Sequence, residues 1–333
     1  MFKTIRAAIQ LARPAQWVKN VFVFAALVFG VRFDTPEAAG RILLSLAAFG
    51  VFCLLSSAVY ACNDLLDHRE DARHPTKKLR PVASGALSPR LAGVISAGLA
   101  ATGLLCASQM PRGFWLTAIT YLALNLFYSL WAKKQALLDV ILIAIGFVLR
   151  ALAGAQAIQV PVSAWLVVCT FTLCLFLGFG KRRCELAAFQ NNEKASSHRA
   201  TLSEYSLELL TQLLAVTGAM AVITFLLYTL DPHTPTPRTL VFTTPLVFYA
   251  IFRYAMVISR GERTGPTDVL IRDRPFLATA VLWTLLTVSL ILWGDRGIEA
   301  YLPRLRYPGT PPATRPADQQ APAAAVRFRS ADR

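Results

Sequence analysis

The sequence predicts an all-α integral membrane protein: nine transmembrane helices in one bundle, with charged loops gathered at its cytoplasmic end. Three observations carry that expectation. Of the 333 residues, 55% are hydrophobic and only 16% are charged, well below the quarter or so that is typical of soluble domains. Apolar segments recur along the chain at the length of about 20 residues needed to cross a hydrocarbon core about 30 Å thick. Cations crowd into alternate connections between these segments, as the positive-inside rule requires of a multi-pass protein.

The start, Met1 to Asn20, sets Lys3, Arg6, Arg13 and Lys19 among apolar residues and Trp17, the composition of a basic interfacial helix. Spans follow at roughly 20–33, 41–62, 90–108, 113–132, 136–158, 162–180, 207–230, 239–258 and 276–294. The first is the shortest. Its apolar run, Val21 to Val31, fits a bilayer only with Trp17 and Phe33 at the interfaces. No small-residue cleavage site clearly follows it, so it reads as a retained span and not a signal.

The connections on the N-terminal side carry Arg69, Arg73, Lys77, Lys78, Arg80 and Arg90, then Lys133 and Lys134. Further along come Lys181, Arg182, Arg183, Lys194 and Arg199, and last Arg260, Arg263, Arg272 and Arg274. The opposite connections hold little beyond Arg32, Arg41, Arg112 and Arg238. This asymmetry assigns the N-terminus and the charged loops to the cytoplasmic side of the cell's inner (plasma) membrane, and the C-terminus to the outside. Residues 1–300 form the transmembrane domain. Residues 301–333, rich in Pro, Ala and Arg, have little to bury and are expected to be a disordered tail. The six cysteines show no zinc or disulfide spacing and read as small packing residues. The net charge of +15 points to anionic lipid and phosphate partners. Nucleic acid is not expected, because the cations lie in short loops without a binding-module pattern.

The most informative stretch is Asn63 to Gly85, which continues the second span without a break. Asp64, Asp67 and Asp71 fall at i, i+3 and i+7, so a continuing helix aligns them on one face. Like charges so placed destabilise a helix by about 0.2–0.5 kcal/mol per pair. A shared divalent cation removes that repulsion, and hard oxygen ligands suit Mg²⁺. Arg73, Lys77, Lys78 and Arg80 come next. Carboxylates for a metal followed by cations for phosphate oxygens is the order that a metal–pyrophosphate complex needs; the plainer alternative is a solvated loop with incidental spacing. Pro75 and Pro81 bias His74 and Arg80 away from helical angles. The acidic helix should therefore end near Arg73, and Lys77 to Arg80 should form an extended segment folding back over the metal. Ser84 and Gly85 allow a tight turn.

Other residues add to this end. Lys19 and Asn20, in the run Arg13 to Asn20, lie at headgroup depth, where they reach a lipid phosphate or simply anchor the chain. Tyr128, Lys133 and Lys134 close the fourth span, and Asp139 opens the fifth. Arg150, eleven residues on, shares a face with Asp139 about 16 Å deeper. An arginine at that depth costs about 2.5–3.5 kcal/mol on insertion scales, so it should face a polar cavity or a partner. Lys181, Arg182 and Arg183, with Glu185, read either as a phosphate-binding wall or as a topological anchor. His74 suits a loop hydrogen bond better than general-base work, and His68, His198 and His233 have no ligand spacing.

These residues resemble the UbiA superfamily of intramembrane transferases, whose first Asp-rich motif reads N-D-x-x-D-x-x-x-D, here Asn63 to Asp71. The continuation H-P-x-K-x-x-R-P-x-x-S-G, His74 to Gly85, is similar to the decaprenyl-phosphate phosphoribosyltransferase branch. So are the start R-P-x-Q-W-x-K-N, Arg13 to Asn20, and the Lys181-Arg182-Arg183 run. The resemblance covers about residues 10–295 and implies the nine-helix UbiA-type bundle. Aromatic prenyltransferases of the superfamily carry a second Asp-rich motif where this chain has its basic run. A basic second wall suits two anionic substrates. The resemblance thus implies Mg²⁺-dependent transfer of 5-phosphoribosyl from phosphoribosyl pyrophosphate to a polyprenyl phosphate, releasing pyrophosphate. Asn63, Asp64, Asp67 and Asp71 would hold Mg²⁺, with Lys77 and Arg80 clamping the pyrophosphate. Lys19, Lys133, Lys134, Lys181 and Arg182 would supply the other phosphate contacts, with Tyr128, Asp139 and Arg150 lining the site. A phosphate nucleophile is already ionised, so the mechanism has no need of a catalytic histidine. Two alternatives stay open: a prenyl diphosphate:aromatic acceptor prenyltransferase, and a transporter or lipid-binding scaffold. The sequence is compatible with a monomer or a homo-oligomer.

Overall fold

The structure is a computed structural model that describes residues 2–31, 33, 35–73, 77–190, 202, 204–234, 236–260, 269 and 272–297. His74, Lys194, His198, Arg199, Arg263 and the expected tail 301–333 lie outside the described residues. Among the described residues ten α-helices follow one another: α1 (Phe2–Ala12), α2 (Ala25–Gly30), α3 (Ala38–Asp71), α4 (Pro89–Ser108), α5 (Arg112–Leu130), α6 (Leu138–Ile158), α7 (Ala164–Gln190), α8 (Leu207–Leu230), α9 (Thr244–Ser259) and α10 (Arg274–Gly297). Among the described residues there is no strand.

Among the described residues eight helical segments are long and apolar enough to cross a membrane: α3 to α8, Thr239–Ser259 and one within α10. They coincide with eight of the nine expected spans. The segment 20–33 is built differently, as a 3₁₀ helix, Pro14–Phe24, that runs into the short α2. Arg13 sets up this change of winding. It adopts left-handed angles, φ 51° and ψ 59°, just before Pro14, whose ring cannot continue α1. The 3₁₀ stretch then lies flush against α6. A Cβ at Gly154 would stand 1.8 Å from the Val23 carbonyl oxygen, so only glycine allows this approach. On the other flank Trp17 Nε1 donates to Ser57 Oγ at 3.0 Å, and Ser57 Oγ donates to the Ala12 carbonyl at 2.8 Å.

Helix α3 has 34 residues, about 51 Å at 1.5 Å per residue, against a core of about 30 Å. Its apolar half buries Val51, Phe52 and Leu55 against Phe114, Ala118 and Tyr121. The charged end, Asn63 to Asp71, projects beyond that core. Successive spans alternate in direction, so the C-termini of α3, α5, α7 and α9 meet the N-termini of α4, α6, α8 and α10 at one end. Ser88 and Ser206 cap α4 and α8 there, accepting from Leu91 N at 3.3 Å and Leu209 N at 3.0 Å. Cys53, Cys174 and Cys184 are buried and outside any disulfide among the described residues, as packing residues should be.

Candidate active site

The projecting end of α3 places Asp64 and Asp71 in the interior, 1% and 3% exposed, and leaves Asp67 half-buried. Each carboxylate meets a cation from another part of the chain. Asp64 accepts a hydrogen bond from Arg13 and lies 3.3 Å from Arg80 Nη1. Arg80 Nη1 also donates to Asp71 Oδ2 at 2.5 Å, with Lys77 Nζ 3.9 Å from Asp71 Oδ1. Asp67 pairs with Lys133. The i, i+3, i+7 stripe thus draws four basic side chains, from before α3, from the loop after it and from the 3₁₀ turn after α5, onto one helix face.

The loop reaches this position by a route other than the expected one. Residues Lys77–Leu79 form a 3₁₀ turn, closed by Arg80 N donating to the Lys77 carbonyl at 2.9 Å, in place of the extended segment. Pro81 restricts only the residue immediately before it, so the three preceding residues are free to wind. That turn is what swings Arg80 back onto Asp64 and Asp71. Gly85, at φ 76°, then makes the sharp turn toward α4.

A second cluster faces the first across the bundle end. Arg182, 3% exposed, lies with Nε 2.8 Å from Asp139 Oδ2 and Nη1 on Glu185. By distance the Nε contact is an ion pair, although the N–H direction misses the oxygen. Tyr205 Oη donates to Asp139 Oδ1 at 3.1 Å and accepts from Leu137 N at 2.5 Å. Burial, foremost, together with Asp139, pushes the Tyr205 phenol up to about 12, so it stays a donor throughout the working pH range. The Leu137 amide that Tyr205 holds belongs to a non-glycine residue at φ 66°, backbone strain of about 1–3 kcal/mol that the surrounding contacts must offset. Tyr128 lies within electrostatic reach of Arg182. Lys134 is exposed, and Lys181 is 3.9 Å from Glu185 Oε1.

Deeper in the bundle, Arg150 is 6% exposed. Its Nε donates to Asn20 Oδ1 at 2.9 Å, Nη2 to Tyr121 Oη at 2.8 Å and Nη1 to the Gly146 carbonyl at 2.9 Å. The guanidinium carbon sits 4.8 Å from the Tyr121 ring centroid. Asn20 Nδ2 in turn donates to Ser56 Oγ at 3.1 Å. Asp139 and Arg150 share a helix but have separate partners. Lys19 has no hydrogen-bond or ion-pair partner among the described residues.

The three side chains of the basic run do not share one helix face. Consecutive helical residues point about 100° apart, so Lys181 faces solvent and Arg182 faces inward. Arg183 turns outward, with Nη1 donating to the Ile258 carbonyl at 2.9 Å. Sequence reasoning left out Arg13 as a partner of Asp64, and also Tyr60, whose ring lies 5.2 Å from the Arg13 guanidinium. It left out Tyr205 and Tyr121 as well. Arg13 was visible in the Arg13 to Asn20 run; the tyrosines carried no sequence signal.

Among the described residues no three His, Cys, Asp or Glu side chains converge as a ready metal-binding group. Two buried oxygens on successive residues nevertheless have the chemistry of ligands for a hard cation. Asn63 Oδ1 and Asp64 Oδ2 are buried without a hydrogen-bond partner, and a buried polar atom left so costs about 1–3 kcal/mol. Oxygen donors of this kind suit Mg²⁺.

An all-α membrane bundle with an acidic helix end, ringed by cations, defines a protein that handles anionic groups at the membrane surface. The chain belongs to the UbiA prenyltransferase family, whose profile matches residues 20–272. It is 30% identical over 294 residues to a decaprenyl-phosphate phosphoribosyltransferase of Mycobacterium tuberculosis, a match covering 87% of this chain and 96% of that protein. A protein of the same description from Corynebacterium glutamicum is 30% identical, covering 85% and 86% of the two chains. The fold is similar to that of a UbiA homolog from Archaeoglobus fulgidus bound to GPP and Mg²⁺, with TM-score 0.65, 20% identity, and 86% and 99% of the two chains covered.

Proposed function

We propose that the chain transfers 5-phosphoribosyl from phosphoribosyl pyrophosphate to a polyprenyl phosphate, releasing pyrophosphate. The relatives from Mycobacterium and Corynebacterium carry the name of this activity over most of their length. One observation of the site favours it over prenyl transfer to an aromatic acceptor. Asp64, Asp67, Asp71 and Asp139 are each already matched by a cation, yet Lys19, Lys134 and the unused N–H groups of Arg150 remain. A surplus of this kind suits two phosphorylated substrates.

In the reaction, a phosphate oxygen of the lipid forms a bond to C1 of the ribose while the bond from C1 to the pyrophosphate oxygen breaks. The attacking phosphate is largely dianionic at neutral pH, since its second pKa is about 6. No side chain has to take a proton, and positioning and electrostatics carry the rate. Arg80 and Lys77 receive the pyrophosphate, exchanging carboxylate oxygens for phosphate oxygens. Lys133 and Arg182 do the same for the second substrate, with Lys19, Lys134 and Lys181 as further contacts. Arg13 orients Asp64, and Tyr205 orients Asp139. Asn63 and Asp64 would hold Mg²⁺, joined by Asp67 and Asp71 as their cations move to substrate; when bound, the ion supplies charge stabilisation for the departing pyrophosphate. The Archaeoglobus fulgidus homolog, bound to GPP and Mg²⁺, supports that use of the fold.

The topology belongs to the same proposal. Eleven residues of 3₁₀ helix at about 2.0 Å each and six of α-helix at about 1.5 Å each reach about 31 Å. Arg13, before this element, touches the acidic end, whereas Phe29 accepts from Tyr228 Oη at 3.2 Å at the far end of α8. We count it as the ninth crossing, with the acidic end cytoplasmic in the plasma membrane and residues 301–333 as a dispensable tail. The test is purified protein given phosphoribosyl pyrophosphate with polyprenyl phosphate or, separately, a prenyl diphosphate with an aromatic acid. Product from the first pair alone is expected; product from the second pair alone would overturn the reading.

A further inference from the structure

Arg182 and Arg183 are adjacent in α7 but serve different faces. Arg183 donates from Nε to Thr211 Oγ1 at 3.1 Å and from Nη1 to the Ile258 carbonyl at 2.9 Å. It thereby stands at the mouth of a groove of about 630 Å³ between α7, α8 and α9, on the outer surface of the bundle. The walls include Leu214, Ala219, Val222, Phe248, Phe252 and Met256. Phe252 is 63% exposed, and its ring centroid lies 5.7 Å from that of Phe248. Arg260 follows the last lining residue of α9, Ser259, and its Nη2 lies 3.8 Å from Sδ of the lining Met256. Neither arginine has a carboxylate partner among the described residues.

The depth of the groove selects its occupant. From Thr211 to Val222 it follows α8 for about 16 Å, and from Met256 to Phe248 it follows α9 for about 12 Å. That is about half of a 30 Å hydrocarbon core, the depth of one leaflet. We propose that the groove holds one anionic phospholipid of the leaflet on the active-site side, its acyl chain between α8 and α9 and its phosphate on Arg183 and Arg260. Arg183 keeps unused N–H groups on its guanidinium fork to donate to phosphate oxygens. A long polyprenyl chain would outrun the groove at the bilayer midplane. The site is separate from the one around Asp64 and Asp139 and does not depend on what is transferred there.

The test is native mass spectrometry of the full chain in mild detergent, titrated with phosphatidylglycerol or phosphatidylcholine. One phosphatidylglycerol per chain, held in preference to phosphatidylcholine, is expected. Arg183→Gln together with Arg260→Gln should weaken its retention roughly thirty-fold, about five-fold for each cation removed from an anionic headgroup. Ala219→Trp, which leaves both arginines in place and fills the groove, should weaken retention of both lipids. Melting temperatures near wild type establish that the variants are folded. Arg260→Gln alone, which removes no contact between helices, should still show the five-fold loss. Unchanged retention in all variants, or equal binding of the two lipids by the wild type, would overturn the proposal. So would a disulfide-linked dimer of Phe252→Cys at full yield, which would assign the groove to a second copy of the chain.

Discussion

Replacing Asp139 with Asn tests whether Arg182 is held for substrate by the buried pair across the bundle end. Both partners are nearly inaccessible, with side chains 2% and 4% exposed. Breaking a buried pair from one side costs about 3–5 kcal/mol. Glu185, 24% exposed, continues to pair with Arg182, so we expect the loss to fall to about 2 kcal/mol. Arg182→Gln should cost less, about 1 kcal/mol. Asp139 would keep the Tyr205 hydroxyl at 3.1 Å, the Val140 N–H at 2.8 Å and the N-terminus of α6, worth about 0.3–1 kcal/mol. The double variant should cost about 1–2 kcal/mol, well short of the sum. Melting in detergent reads this out at about 2–4 °C per kcal/mol. Turnover of Asp139→Asn should fall about ten- to a hundred-fold, because a misplaced contact loses orientation. Stabilities that add within about 0.5 kcal/mol would show that the two residues do not interact, and the positioning argument would fail with them.

Asp67→Asn, which disturbs only a half-buried pair with Lys133, should abolish turnover with the protein still folded, and excess EDTA should do the same to the wild type; full activity in either case removes the metal assignment. Lys181 and Arg182 replaced together by Gln should raise KM for a phosphorylated substrate or lower kcat, and unchanged kinetics for both substrates would return these residues to an anchoring role. Truncation after Pro308 should leave insertion and turnover unaltered, so loss of activity in an inserted protein would give the tail a function.

Much of this molecule is legible in its amino-acid sequence, and the reasons divide by length scale. Hydropathy finds α3 to α10 because each must present about twenty apolar residues to lipid. It marks the element at 14–30 poorly, since a 3₁₀ helix rises about 2.0 Å per residue and so reaches a given length with fewer apolar residues. The acidic face of α3 follows from helical periodicity alone, and Pro75 signals the end of that helix, expected near Arg73 and found at Asp71. Rotation and partner choice are a different matter. Nothing in the Lys181-Arg182-Arg183 run says which arginine points inward, because that depends on how α7 packs against α6 and α8. Arg150 needs company at its depth, and Asn20 and Tyr121 supply it, yet partners 130 and 29 residues away leave no local trace. Tyr205 is likewise visible only once α8 has brought it to Asp139.

The most direct test of the central claim uses phosphoribosyl pyrophosphate labelled twice, with carbon label in the ribose and phosphorus label in the β-phosphate, given to the purified protein with a polyprenyl phosphate and Mg²⁺. The ribose label should enter the lipid fraction in step with release of the phosphorus label as pyrophosphate. Ribose label that stays in the aqueous phase while the lipid phosphate is unchanged, or phosphorus label that moves into lipid, would contradict transfer at C1.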